Sequence, residues 1–375
     1  MKSKHWIAVF LLLFFIGIGG FMALNYYVDP TDYFSVSKNK ESYSSNNYTR
    51  AIKSEYLAKN PDKFDAVVMS GSKGGVLSTD LLTQYTGKRY YNFFFNVGNF
   101  SDYYKYSKFL IENTNISEIT LHLSSFEVTS FSKEGSGVPA YEVPAILTGN
   151  KWEELTEHLS YLMTDVSTTM KALINNEPDP ISVDMATGQR NWNSAIKKFR
   201  QDPDAYVQSR VLKKFDKYLA SLFNQDAADS PAFDDNIAAL KEIKELCDKN
   251  GVTLKVVIGA SFIGERESYE CYRYYDYLRQ IVAITDVWDF SDYNDINMNP
   301  YNFYNRKHYT NAVGDLMINT IYGKETHEGF GIYLTEDNIE DYLARRIADY
   351  RQLKEEFDTT GTVQLPGMDD PSYIS

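Results

Sequence analysis

A chain of 375 residues is too long for one minimal domain and suits one enlarged domain with insertions. Its apolar fraction of 43% is ample for a core, and a net charge of −13 argues against nucleic-acid backbones as partners. The 30 Tyr and 22 Phe have two readings, carbohydrate contact or a codon bias that also enriches Asn, Lys and Ile. In chain order, residues 1–5 form a short tail with Lys2 and Lys4, and 6–25 form an uncharged, almost wholly apolar run. At about 1.5 Å per residue that run crosses a hydrocarbon core of roughly 30 Å, and the two preceding lysines place the N-terminus in the cytoplasm. The expectation is an uncleaved single-pass anchor in the cell membrane with the main domain outside. A cleaved signal peptide is the rival, but the run is long for one and no clear small-x-small site follows.

Residues 26–60 are polar and read as a stalk leading into a short helix. From 61 to 330 a domain of α/β rhythm is expected. Strands are predicted at Phe64–Met69, 89–95 and 118–123, with a helix start or turn at Leu77–Leu82 and a helix from a Ser101 cap to about Glu112 between them. The rhythm breaks at about 128–228, read as a helical insertion covering the sheet, with amphipathic helices at Lys151–Thr164 and Tyr206–Phe223. It returns with a helix that Ser230 caps and Pro231 opens, its stripe formed by Ile237, Leu240, Ile243 and Leu246. A strand at Thr253–Ile258, a helix near Tyr269–Ile284, a short strand at Val287–Phe290 and a helix at Asn311–Tyr322 follow. Residues 331–375 are assigned to a C-terminal charged helix and a frayed tail. Strands alternating with helices predict an α/β three-layer sandwich around a mostly parallel five-stranded sheet.

Two places carry chemistry. The apolar run from Asp65 ends abruptly in Ser70-Gly-Ser72, a strand-to-helix turn of the kind that delivers a side chain to the carboxyl edge of a sheet. A serine there supplies its own backbone N–H to an oxyanion but needs a base. The bland alternative is a turn built from small residues for backbone reasons. A phosphate loop is not met, because Lys73 precedes the glycines. His308, directly before a predicted helix, has the placement a base requires. His5 lies on the cytoplasmic side, His158 and His327 have no partner pattern, and His122 reads as a core residue of the third strand. Cys247 and Cys271 are compatible with one disulfide or with two core thiols, and no metal site or cofactor is expected.

Taken together, the serine turn after the first strand and the Asn305-Arg-Lys-His308 box before the last helix resemble the SGNH (GDSL-type) hydrolase superfamily. With the N-terminal anchor, they are similar to its membrane-anchored branch, which includes the D-alanyl-lipoteichoic acid transfer and alginate O-acetylation proteins. The resemblance covers about residues 64–325 and leaves the insertion outside. It implies an SGNH/flavodoxin-like fold, with Ser72 as nucleophile, His308 as base, and Ser72 and Gly98 N–H groups in the oxyanion hole. Two departures stand out. Ser124-Ser-Phe-Glu127 falls where the family often has Gly-x-Asn-Asp, so an asparagine donor is missing. Asn305 falls where the family has the Asp that orients the histidine. Asn305 or a backbone carbonyl orients the ring, another carboxylate such as Asp292 or Asp295 substitutes, or the site is slow or idle.

The resemblance implies an extracytoplasmic serine O-acyltransferase or esterase acting on a cell-envelope glycopolymer, with a multi-spanning membrane O-acyltransferase as partner. The alternative is a catalytically weak or inactive SGNH-like envelope protein that binds a polymer or scaffolds that acyltransferase. A plain secreted esterase is a third reading.

Overall fold

In the computed structural model, residues 2–366 and 368 are described, apart from 45–47, 129–131, 139–140, 175–180, 225–230 and 265–272. Helix α1 (Lys2–Val28) leads into β1 (Ser42–Ser44), α2 (Thr49–Lys59), β2 (Ala66–Ser70), α3 (Thr79–Thr86), β3 (Tyr90–Phe94), α4 (Phe100–Asn113) and β4 (Glu118–Leu123). The insertion carries α5 (Lys151–Leu162), α6 (Val166–Ile174), β5 (Ser182–Asp184), β6 (Arg190–Asn191), α7 (Asn193–Gln201), α8 (Pro203–Arg210) and α9 (Phe215–Phe223). The rest comprises α10 (Phe233–Lys249), β7 (Thr253–Ile258), α11 (Tyr274–Val282), β8 (Val287–Asp289), β9 (Phe303–Asn305), β10 (His308–Tyr309), α12 (Asn311–Ile321), β11 (Ile332–Leu334) and α13 (Ile339–Thr360).

The protein is α/β, with a central six-stranded sheet in the order β11–β8–β7–β4–β2–β3. All neighbours are parallel except β11, which runs antiparallel to β8. The expected five strands are all present, and the sixth, β11, corrects the count. It spans three residues and lies where the periodicity predicted the onset of the C-terminal helix. A strand that short has no alternation to read. Side chains alternate between faces as the pleat requires. Val67, Met69, Leu121 and Ile258 enter one apolar cluster, with α2, α4, α10, α11 and α13. Ala66, Val68 and Val257 enter another, with α3, α7, α8, α9 and α12. Register is what builds the site. Ser70 pairs with Phe94 on one side and His122 on the other, so β2, β3 and β4 end level and their following turns share one edge.

Local capping differs from expectation in places. Asn99, not Ser101, caps α4 by accepting from Asp102 N–H, and Tyr103 and Tyr106 are buried on its inner face. Helix α10 starts at Phe233, its stripe continues to Cys247, and Ser230 lies outside the described residues. Cys247 is a buried thiol, while Cys271 lies outside the described residues. The helix expected over Tyr206–Phe223 is two helices, α8 and α9, and a β5–β6 hairpin pairs with β1.

Residues 26–60 do not form a free stalk. Tyr33, Phe34, Tyr43 and most of α2 are buried, including Arg50 and Lys53. Lys53 Nζ donates to the carbonyls of Asn92 and Gly188 at 2.6 and 2.8 Å, tying α2 to β3 and the insertion. Gly188 has φ +71°, and a Cβ there would run into Asn92 O, so only glycine lets the insertion close on the sheet edge. Helix α13 is likewise part of the core. Its Arg346 is fully buried and donates to Asp289 Oδ2 at 2.8 Å. Helix α1 is long and apolar enough to cross a membrane over Lys4–Val28.

Candidate active site

Strand β2 delivers Ser72 through Gly71 into a tight turn over Ser72–Val76. Asn92 of β3 pins this turn, its Nδ2 donating to Gly74 O and Leu77 O at 2.9 and 3.1 Å. A Cβ at Gly74 would approach Ser70 Oγ to 2.5 Å, so the small residues here serve close packing as well as the bend. On the other side of the cleft, β9 and β10 form a two-stranded hairpin that presents Asn305 and His308, and Thr310 then caps α12.

The structure brings the predicted residues together. Ser72 Oγ lies 3.0 Å from His308 Nε2, and His308 Nδ1 lies 3.0 Å from Asn305 Oδ1. The Lys307 N–H also donates to Asn305 Oδ1, at 2.9 Å. A backbone N–H can pair only with the oxygen of the amide, so this bond fixes which end of Asn305 faces the ring. An oxygen facing Nδ1 requires a proton on Nδ1, which leaves Nε2 as the acceptor for the serine proton. Asn305 therefore selects the tautomer a general base needs without supplying charge. The carboxylates proposed to stand in do not. Asp292 is buried and pairs with Arg345 at 2.6 Å, and Asp295 is exposed.

The electrostatics follow from that neutrality. The His308 pKa is pushed down to about 3, first by burial and then by Arg190, Lys73 and Lys307. All three neighbouring charges are positive and disfavour protonation of the ring. Trp192 from the insertion lies 5.2 Å from the ring and stacks on Tyr304 at 4.8 Å, closing the base on one side.

A cleft of about 270 Å³ opens at this point, and Ser72, Gly98, His122, Glu127, Lys73 and Lys307 are among its walls. Gly98, expected to serve an oxyanion, lies close to the serine turn. A Cβ on Gly71 would lie 3.6 Å from Gly98 N, which puts that amide beside the serine turn. A Cβ on Gly98 itself would reach within 2.6 Å of the Tyr103 ring. Its loop is held from α2: Arg50 pairs with Asp102 at 2.9 Å and donates to Val97 O at 3.1 Å, with Val97 at φ +52°.

Ser124 and Glu127 line the cleft, but their polar groups close on each other. Glu127 Oε2 accepts from Ser124 N and Oγ at 2.8 and 2.7 Å, while Oε1 accepts from Tyr103 Oη at 2.9 Å. Burial raises the Glu127 pKa.

His122 is a buried strand residue, as read from the sequence, yet it also lines the cleft, with Nε2 2.9 Å from Tyr309 Oη. Burial and Lys73 push its pKa to about 3. Its pairing with Ser70 could have flagged it only once strand register was known. Lys73 and Lys307 were readable as sequence neighbours of the serine and histidine. Trp192 and Arg190 carried no local signal.

What this arrangement can do is transfer a proton from a hydroxyl to a neutral imidazole beside backbone donors, the first step of acyl transfer. No family model matches the chain, and no curated protein matches it.

Proposed function

We propose that this chain is a membrane-anchored serine acyl-transfer enzyme of SGNH type, an O-acyltransferase or esterase. One observation carries the reading: the Ser72–His308–Asn305 relay, with both contacts at 3.0 Å and the tautomer fixed by the Lys307 amide. His308 Nε2 takes the Ser72 proton as Oγ bonds to the acyl carbon of an ester or thioester. The Ser72 and Gly98 N–H groups hold the oxyanion. Collapse expels the donor's leaving group with that proton and leaves an acyl-serine. An acceptor hydroxyl then gives its proton to His308 and attacks the acyl carbon; the bond from that carbon to Ser72 Oγ breaks as His308 returns the proton to Oγ. The proposed acceptor is a sugar or polyol hydroxyl of a cell-envelope glycopolymer. The proposed partner is a multi-spanning membrane O-acyltransferase, both by resemblance to the anchored SGNH branch. Helix α1 is the proposed anchor, with Lys2 and Lys4 on the cytoplasmic side and the domain outside.

The test is covalent labelling of the full-length protein with a serine-directed fluorophosphonate. The expected result is one adduct, at Ser72, absent in Ser72→Ala and His308→Ala. A second reading, a binding protein with an idle site, is favoured by the uncharged Asn305 and the cations around His308. It predicts no adduct and an unchanged cellular phenotype for Ser72→Ala.

A further inference from the structure

The insertion carries an apolar surface that the acyl-transfer reading does not use. On α5, followed to its C-cap Met163, the residues Trp152, Leu155, Leu159 and Met163 recur at helical spacing, and all are exposed, Trp152 to 77%. On α6, Val166, Met170 and Leu173 do the same, Val166 to 61%. The opposite face of α5 is already occupied through Tyr161, which packs, with Leu162 at the stripe's border, on the cluster of Tyr33 and Phe34. Among the described residues, the exposed large apolar side chains outside α1, α5 and α6 are only Val138, Tyr333 and Met368. The apolar surface is thus concentrated in two places, and those places are joined.

The join is Asn25, near the end of the apolar helix and fully buried. Its Nδ2 donates to Leu162 O at 2.9 Å and Thr164 O at 3.0 Å, in the elbow between α5 and α6. Thr169 of α6 donates its hydroxyl to Asn25 Oδ1. The whole amide is consumed by the elbow, so α5 and α6 are fixed at the level where α1 leaves its apolar stretch. Tyr26 and Tyr27 follow at once, both exposed, the residue type that favours the headgroup region.

We infer that the outer faces of α5 and α6 lie in the interfacial layer of the lipid bilayer that α1 crosses, and so fix how the domain stands on the membrane. The inference rests on α1 being embedded. The occupant is lipid because the face continues an apolar surface that itself requires lipid. The driving force is apolar rather than cationic. The two helices carry Lys151 and Lys171 against Glu153, Glu154 and Glu157, so anionic lipid is not needed.

The experiment uses full-length protein with Cys247→Ala and Cys271→Ala, reconstituted at low density in phosphatidylcholine vesicles. A fluorophore is placed at Leu159→Cys or Met170→Cys, with Phe14→Cys in α1 and Lys241→Cys on α10 as references. Expected is quenching by doxyl-lipid at 159 and 170 severalfold above that at 241, with shielding from aqueous iodide. Quenching at 14 but not at 159 or 170 overturns the inference while leaving the anchor intact. Shielding at 159 and 170 only at high protein density, or only with an added membrane protein, assigns the face to a second copy or a partner and also overturns it. Failure at 14 as well removes both.

Discussion

Asn305 and His308 share a hydrogen bond whose direction is set by a third group, the Lys307 amide, which holds the Asn305 oxygen against the ring. In serine proteases an Asp-to-Asn change at this role lowers turnover about 10⁴-fold, with the wrong histidine tautomer as the cause. Here the amide oxygen is pinned, so the tautomer is correct and only the charge is missing. The deficit should therefore be smaller and repairable. Asn305→Asp is expected to raise the rate of fluorophosphonate labelling, and of hydrolysis of an activated aryl ester, by about tenfold. Asn305→Leu, which offers Nδ1 nothing, is expected to lower both by about 10²-fold. Equal rates for all three proteins would remove Asn305 from the relay.

The pH dependence should carry the same signature. The His308 pKa is held down to about 3 by burial and by Arg190, Lys73 and Lys307. The ring stays neutral, and so competent as a base, until the pH approaches that value. The acid limb of the labelling rate is expected well below 6.5, with no break near neutrality. A carboxylate favours the charged ring, so Asn305→Asp should move that limb upward by about 1–3 pH units. A downward movement, or a wild-type break near 6.5, contradicts the assignment of the base.

Much of this was legible from the residues alone. Strand β2 is an apolar run that stops at small residues, β4 and β7 carry enough apolar positions between loops to read as strands, and the serine and histidine lie just past a strand and just before a helix. Those positions mean the same thing wherever the rest of the chain goes. The polar segment 26–60 misled because its charges find partners far off in sequence: Arg50 meets Asp102, and Lys53 meets carbonyls of residues 92 and 188. A buried cation and a solvated one look the same in a sequence. Trp192 and Arg190 reach the base through the folding of the insertion onto the edge of β3. The three-residue β11 has too few positions to show a period.

His122 makes a prediction about stability. Its pKa is about 3 in the fold and about 6.5 when unfolded. Between those values the unfolded chain binds the extra proton, so the contribution is fully present above 6.5 and is lost as the pH falls toward 3. Asp292 and Asp315, both raised to about 6, act in the opposite sense over part of that window. The comparison of wild type with His122→Gln removes their effect. The difference in unfolding free energy is expected to change by about 1.4 kcal/mol per pH unit between pH 6 and 4. Denaturant titrations at several pH values measure it, and a flat difference means that the ring titrates normally.

Arg50 separates the stability of the site loop from its shape. Removing this cation alone leaves Asp102 buried without its partner, at a cost of about 3–5 kcal/mol. Arg50→Met is therefore expected to unfold at lower denaturant. Replacing both members with apolar side chains is often neutral, so Arg50→Met with Asp102→Leu should recover most of that stability. It should not recover the site. Arg50 also donates to the carbonyls of Asn96 and Val97, and Asp102 accepts from Asn99 Nδ2 at 2.7 Å. Without these bonds the turn that holds Val97 at φ +52° loses its anchor to α2, and the Gly98 amide is expected to drift from the serine turn. Loss of one oxyanion donor costs about 10²–10³ in rate. The double variant should thus be stable yet label at Ser72 slower by about that factor. Stability and labelling recovering together would mean that the pair serves the fold alone, and that Gly98 is not held for the oxyanion.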